Sequence, residues 1–181
     1  KEGDSQRSRQ SLYFQEQWLP GDELSIIGGV RLDYDSWFGF YPTPKLSVRY
    51  ELTPSLAVSS SYGLGYRAPS FKEMFIFFEN TGVGYVVTGN PELEPEKMRG
   101  LNLGLNYSPV PVFSLRINGY RNDLQNLITV GTLEESGTDG PSIFSYLNVQ
   151  KAYTQGTELN ARAVLRTVML TAGYALTDTK D

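Results

Sequence analysis

Apolar and polar side chains alternate along most of this chain, which is the pattern of β-strands with one apolar and one polar face. Between Leu24 and Tyr34 the even positions hold apolar residues or glycine, whereas most odd positions hold small or polar residues. The same alternation recurs over residues 45–52 and 101–107. Almost no window spaces its apolar residues as a helix would. The pattern therefore predicts an all-β protein built on an antiparallel up-and-down sheet with one apolar face and one polar, water-facing face.

The alternating segments predict eight strands and two kinds of connection between them. The strands cover residues about 10–19, 23–35, 42–53, 56–67, 97–108, 112–125, 143–165 and 168–178. Four connections are tight turns, at residues 20–22, 53–55, 108–111 and 166–167. Three are longer loops, at residues 36–41, 68–96 and 126–142. Short turns at one end of the sheet and long loops at the other are typical of outer-membrane barrels, although a soluble lipocalin-like barrel shows some of this asymmetry.

The composition excludes several classes of function. The chain has 16 basic and 20 acidic residues, which are interspersed and give a net charge of −4, so nucleic acid is not an expected partner. It contains no Cys and no His, which removes thiolate chemistry and the commonest general base and metal ligand. The carboxylates of Glu92, Glu94 and Glu96, and the pair Glu134-Glu135, lie in predicted loops without a nucleophile. We therefore predict no enzyme activity, no catalytic residues, no metal site and no cofactor.

Two short motifs flank the longest predicted loop. Gly65-Tyr66-Arg67-Ala68-Pro69 ends the fourth predicted strand, and Asn90-Pro91-Glu92-Leu93-Glu94-Pro95-Glu96 precedes the fifth. This ordered pair resembles the signature of TonB-dependent outer-membrane receptors, in which the segment between the two boxes is an extracellular loop. The later segments Tyr146 to Ala152 and Gly156 to Leu159 also resemble that family's strand pattern. The resemblance covers nearly the whole chain from about residue 12.

The resemblance implies a function and a set of partners. Such receptors lie in the outer membrane of Gram-negative bacteria and take up scarce nutrients, most often a ferric siderophore or cobalamin. They contact outer-membrane lipid, and they contact TonB through a plug domain that we do not find here. We therefore expect residues 1–181 to be a partial barrel domain, and 68–96 to be its long extracellular loop. With unpaired sheet edges and an apolar outer face, the isolated segment is expected to self-associate.

The long loop supplies the candidate ligand-binding residues. Ser70 and Glu73 have the spacing of a helix N-cap and its capping box. Beyond them lies a predicted aromatic cluster of Phe71, Phe75, Ile76, Phe77, Phe78 and Tyr85. We predict that the ligand is bound by Arg67, Phe75, Phe77, Phe78, Tyr85 and Asn90. The alternatives are that the aromatic residues pack the loop on its neighbours and that Arg67 pairs with a carboxylate.

Two other readings of the sequence remain open. Eight strands can close into a small barrel around a filled interior, so the segment is also consistent with a self-contained outer-membrane barrel that has a binding or structural role. A haem-uptake branch of the receptor family carries the same two boxes with a haem-ligating His between them. This chain has no His, so haem would have to bind elsewhere, for example at Tyr85.

Overall fold

The computed structural model describes residues 6–80, 82–134 and 141–180, and this part of the chain is nearly all β-structure. It contains ten strands and one short helix. In chain order these are β1 (Arg9–Trp18), β2 (Leu24–Asp35), β3 (Gly39–Thr53), β4 (Leu56–Arg67), α1 (Phe71–Phe75), β5 (Phe77–Asn80), β6 (Tyr85–Thr88), β7 (Glu96–Val110), β8 (Phe113–Glu134), β9 (Ser142–Leu165) and β10 (Val168–Lys180). Within these described ranges, no helix has the length and apolar character needed to cross a membrane.

The strands are joined in one up-and-down sheet. Its order is β1-β2-β3-β4-β7-β8-β9, and β10 pairs antiparallel with β9. The predicted all-β, antiparallel architecture and its eight long strands are therefore confirmed. The sequence pattern missed β5 and β6, which lie inside the long loop. Strand β6 pairs parallel with the start of β9, an exception to the predicted antiparallel order.

The two predicted faces are also present. Leu46 of β3 pairs with Gly28 of β2 and Tyr62 of β4, whereas its neighbour Lys45 pairs with two glycines. On the Lys45 side, the side chain of Asn102 in β7 donates to the hydroxyl of Ser61 in β4. The flanking Leu101 and Leu103 consequently lie on the other side of the sheet. We call the side that carries Leu46, Leu101 and Leu103 the apolar face and the opposite side the polar face.

Much of the apolar face is not covered by the chain itself. Leu46, Leu103 and Leu176 are each more than half exposed, at 52%, 56% and 62%. In the described part of the chain the buried core is small, with Ala57, Met74 and Leu93 at 5% exposure or less. Lipid is the usual cover for such a face in a transmembrane strand.

The connection between β2 and β3 corrects one prediction. A loop was expected at residues 36–41, but β3 begins at Gly39 and only residues 36–38 form the turn. The side chain of Asp35 accepts a hydrogen bond from the backbone N–H of Trp37, which closes the turn tightly. Gly39 follows with φ of 85°, a conformation that glycine adopts without steric cost.

Strand β8 corrects a second prediction. It was expected to end near residue 125, but it continues to Glu134. Residues 128–133 are rich in β-branched side chains, which favour a strand. Asn126 has φ of 56°, which is the left-handed conformation common in turns. It makes β8 locally irregular but does not end the strand. The structure does not describe residues 135–140 of the predicted loop, nor the side chain of Glu134. The predicted carboxylate pair Glu134-Glu135 therefore lies outside the described part of the chain.

The chain forms two compact units. Unit 1 comprises Lys1–Gly65, Arg99–Asp123 and Tyr153–Lys180, and it includes β1, β2, β3 and β10. Unit 2 comprises Tyr66–Met98 and Leu124–Ala152. The helix, strands β5 and β6, the second box and the first box from Tyr66 onward fall within unit 2, so the candidate site is described within that unit.

Candidate ligand-binding loop between β4 and β7

Arg67 ties together the two ends of the long loop. Its Nε and one terminal nitrogen each donate to a different carboxylate oxygen of Glu96, both at 2.6 Å. Its other terminal nitrogen donates to Glu73 at 3.0 and 3.2 Å. A two-point contact between Arg and a carboxylate is among the stronger hydrogen-bonded pairs in proteins. Arg67, which was predicted to contact the ligand, therefore forms ion pairs with two carboxylates. This agrees with the alternative prediction that Arg67 pairs with a carboxylate.

The loop continues into α1, which is capped as the sequence predicted. The Ser70 hydroxyl accepts from the backbone N–H of Glu73 at 3.2 Å, and the Ser70 backbone N–H donates to the Glu73 carboxylate at 2.7 Å. Burial alone would raise the pKa of Glu73. Hydrogen bonds from Ser70 and then the Arg67 guanidinium outweigh it, so the pKa lies below its ordinary value. Glu73 is therefore held as a carboxylate that serves both the helix cap and the loop base.

Asn90 holds the second box in place through both ends of its side-chain amide. Its Nδ2 donates to the backbone oxygen of Tyr146 in β9 at 3.0 Å. Its Oδ1 accepts from the backbone N–H of Glu92 at 2.9 Å. Leu93, which follows, is 2% exposed and anchors the box in a small buried core. The predicted ligand residue Asn90 is therefore a bracing residue of the loop in this structure.

A second amide bridge was not found from the sequence. Asn148 of β9 accepts from the backbone N–H of Glu94 at 2.8 Å and donates to the Glu94 carbonyl at 3.0 Å. It also donates to the backbone oxygen of Asn126 at 2.7 Å, while the Asn126 side chain reaches the Glu94 carboxylate at 2.6 Å. The signal was present in the motif around Tyr146, where an asparagine interrupts a strand otherwise rich in apolar residues.

The backbone of the loop also packs directly on itself. Gly89 donates its N–H to the carbonyl of Ile76 at 2.6 Å, and Asn90 donates to the carbonyl of Glu73 at 3.0 Å. A Cβ placed on Gly89 would lie 2.5 Å from the carbonyl carbon of Met74. Only glycine permits so close an approach between the end of β6 and the end of α1.

Strands β5 and β6 form a hairpin that is attached to β9. Tyr85 to Thr88 pair in parallel with Ser142 to Ser145. The buried Ser145 hydroxyl donates to the Thr88 carbonyl at 3.1 Å, and the Ser142 N–H donates to the Gly84 carbonyl at 3.0 Å. The long loop is thus held at its base by side chains and at its far part by a strand ladder.

The hairpin turns Phe77 away from Phe78 and Tyr85, so the predicted aromatic cluster does not lie on one face. Phe78 and Tyr85 lie 6.0 Å apart between ring centroids, and Tyr85 lies 6.2 Å from Phe144 in an edge-on contact. Phe77 pairs with Thr88 and therefore points to the opposite face of the hairpin, where it is 72% exposed. Phe75 packs at 6.2 Å from a second helix residue, Phe71.

Exposure separates the six candidate residues further. Phe75, Phe77 and Phe78 are 49%, 72% and 47% exposed, so each has apolar surface available to a ligand. Tyr85 is half-buried between Phe78 and Phe144. The structure thus divides the predicted site into an exposed aromatic group and two polar residues, Arg67 and Asn90, that hold the loop.

Comparison with known proteins gives a consistent result. A family model described as "TonB dependent receptor-like, beta-barrel" matches residues 2–181. The chain is 25% identical over 176 residues to an iron-regulated outer membrane virulence protein of Vibrio cholerae, covering 93% of this chain and 27% of that protein. It is 29% identical over 154 residues to the vitamin B12 transporter BtuB of Photobacterium profundum, covering 85% of this chain and 23% of that protein. The chain thus spans about a quarter of the length of these relatives.

Solved structures show the same fold. The siderophore receptor PirA from Pseudomonas aeruginosa superposes with a TM-score of 0.85 at 20% identity, over 96% of this chain and 34% of that one. The copper transporter OprC superposes with a TM-score of 0.77 at 21% identity, over 97% of this chain and 30% of that one.

Proposed function

Because the chain belongs to the TonB-dependent receptor-like β-barrel family, we propose that it is part of a receptor that takes up a scarce nutrient, a ferric siderophore or cobalamin. Membership of this family means that the chain lies in the outer membrane of a Gram-negative bacterium. The named relatives include an iron-regulated protein and a vitamin B12 transporter, and the structural neighbours include siderophore receptors. We propose that this chain shares the uptake activity that the names of these proteins indicate.

One observation supports a capture role for the loop between Arg67 and Glu96. The loop is braced at both ends and along β9, yet it presents Phe75, Phe77 and Phe78 to solvent. A loop that only packed on its neighbours would bury these rings, because each buries 150 Å² or so when it serves as a core residue. Ordered, exposed aromatic side chains are the usual anchors of a binding surface.

The contacts of Arg67 change its expected part in binding. It carries one positive charge, and the two carboxylates that it holds carry two negative charges, so the trio has a net charge of about 1 − 2 = −1. Such a group does not attract an anionic ligand over distance. We therefore assign ligand contact to Phe75, Phe77, Phe78 and Tyr85, and we assign to Arg67 and Asn90 the role of holding the loop in the shape that presents them.

The remaining steps of uptake belong to other parts of the receptor. In this proposal the loop captures the ligand, a plug domain shifts when the ligand is bound, and TonB supplies the force for transport. The ligand's metal is cargo rather than a resident cofactor. Contact with outer-membrane lipid is proposed for the apolar face, where leucines of unit 1 are exposed.

The function is tested by import. Cells that express the intact receptor and cells from which it has been deleted are given radiolabelled ferric catecholate, ferric hydroxamate and cyanocobalamin in separate assays. We expect at least one probe to accumulate only when the receptor is present, and only while TonB is present. If all three probes accumulate equally in both strains, uptake of these nutrient classes is not the function.

A further inference from the structure

A groove of about 410 Å³ lies within unit 1, on the apolar face. That volume falls in the range of small-molecule sites, roughly 300 to 1,000 Å³. Its floor is Gly119, where an added Cβ would meet only a backbone oxygen, at 3.9 Å. Its walls include Leu101, Leu103 and Leu176, which are 41%, 56% and 62% exposed. The missing side chain of Gly119 therefore leaves an apolar furrow between leucines of β7 and β10.

One end of the groove is polar. The Arg121 Nε and one terminal nitrogen donate to Asp123 at 3.0 and 2.9 Å, and the other terminal nitrogen donates to Gln155 at 3.1 Å. Gln155 in turn donates to Asp178 at 3.1 Å. The Arg121 guanidinium also lies 4.9 Å from the centre of the Tyr153 ring. The guanidinium is thus contacted from three sides at the rim of the groove.

The rim has capacity for an anion. Arginine has five N–H donors, and Arg121 uses three of them, so 5 − 3 = 2 remain. Arg99 lies on the same face by alternation with Leu101, and Lys180 does so by pairing with Tyr153. Among the described residues, neither of these two cations forms an ion pair. The three cations and the two carboxylates of the rim leave a net charge of about 3 − 2 = +1.

The polar rim of the groove lies about one transmembrane strand length from the short turns. Arg121 is eight residues beyond the start of β8 at Phe113, and Asp178 is ten residues beyond the start of β10 at Val168. A transmembrane strand crosses the bilayer with about 9 to 11 residues. Long loops mark the extracellular end of an outer-membrane barrel. Residues of the apolar face that lie toward this end therefore meet the outer leaflet.

We propose that this groove binds one phosphate-bearing lipid of the outer leaflet. Its acyl chain lies along Leu101, Leu103 and Leu176, and its phosphate accepts the two remaining Arg121 N–H donors. Arg99 and Lys180 add charge that favours an anionic headgroup over a zwitterionic one, because each basic residue near an anionic lipid strengthens the attraction. This site is separate from the loop that captures the nutrient and does not depend on what that nutrient is.

Native mass spectrometry of the intact receptor, purified in detergent and incubated with bisphosphorylated lipid A or with phosphatidylcholine, tests this proposal. We expect retained lipid A to fall about tenfold in Arg121→Gln, which removes a charged donor, and in Gly119→Leu, which fills the groove. Gly28→Leu is the matched control on the same face, because an added Cβ there has no neighbour within 4 Å. Arg49→Gln is the control for Arg121→Gln, because it removes a similarly exposed ion pair, that of Arg49 with Glu51, on the polar face.

The proposal is supported if both groove variants lose lipid A, both controls keep it, and phosphatidylcholine is retained less well by the parent. It is overturned if either groove variant retains lipid A at the parent level. It is also overturned if the controls lose lipid equally, or if phosphatidylcholine is retained as well as lipid A. Shifted electrophoretic mobility of the unheated receptor in each variant shows that the barrel is folded.

Discussion

Arg67 and Glu96 face each other across the mouth of the long loop and are joined by two hydrogen bonds of 2.6 Å. Arg67 is the last residue of β4, and Glu96 is the first residue of β7. The pair therefore closes a loop of 28 residues at its base, where adjacent strands already lie side by side. The capture surface is presented by a loop with fixed ends.

Replacing Arg67 by Lys should loosen this loop without unfolding the sheet. Lysine keeps the charge but loses the planar fork that reaches Glu96 and Glu73 together. We expect amide hydrogen exchange within residues 68–95 to accelerate about tenfold, while exchange in β2 and β3 is unchanged. Arg49→Lys, at an exposed pair with Glu51, is the control. Equal exchange of the loop in both variants would show that the Arg67 contacts do not hold it.

Acid should loosen the loop through Glu73. Because its folded pKa is lowered, the carboxylate stabilises the loop at pH values above its ordinary pKa of 4.5, and this contribution is lost as the pH falls through the folded value. Arg67 and Glu96 are the charged groups that face it. We expect the protection factor of the loop amides, which is exchange corrected for the intrinsic rate at each pH, to fall on acidification below the ordinary pKa of 4.5, and to fall less in Glu73→Gln. An identical acid response in the two proteins would contradict this account.

Gly89→Ala should disrupt the packing of the loop on α1. The added Cβ would lie 2.5 Å from the Met74 carbonyl carbon, and backbone cannot move aside as a flexible side chain would. We expect a cost of about 2 kcal/mol and much faster proteolysis within the loop. Gly82→Ala is a control in the same loop, because its nearest neighbour would be an Asn80 side-chain atom at an ordinary 3.5 Å. Equal proteolysis of both variants would count against the close approach.

The sequence predicted the features that depend only on residues close together in the chain. The capping box of Ser70 and Glu73 needs only three residues of chain, and it formed as predicted. The partners of Arg67 and of Asn148 lie up to 54 residues away, and no local pattern selects one carboxylate or carbonyl among many. The strands Phe77–Asn80 and Tyr85–Thr88 were too short to show alternation, so the opposite orientation of Phe77 and Phe78 could not be predicted.

Phe77 and Phe78 should respond differently to truncation. Phe78 packs 6.0 Å from Tyr85, so Phe78→Ala should weaken both the hairpin and ligand capture. Phe77 is 72% exposed, so Phe77→Ala should weaken capture and leave loop exchange unchanged. Binding on cells and hydrogen exchange on purified receptor separate the two effects. If Phe77→Ala accelerates loop exchange as much as Phe78→Ala does, the assigned roles are wrong.

The most direct test of the capture role is ligand binding by cells whose receptor carries Ala at Phe75, Phe77, Phe78 and Tyr85. The probe is whichever of the three labelled nutrients the parent receptor imports, and Ala at Phe14 and Phe40, two exposed rings of the apolar face, is the control. At matched amounts of folded receptor, we predict that affinity falls at least tenfold in the loop variant, given roughly 1 to 3 kcal/mol for each anchor lost, and that the control binds as the parent does. Parent-level binding and import by the loop variant would contradict the claim that this loop captures the ligand.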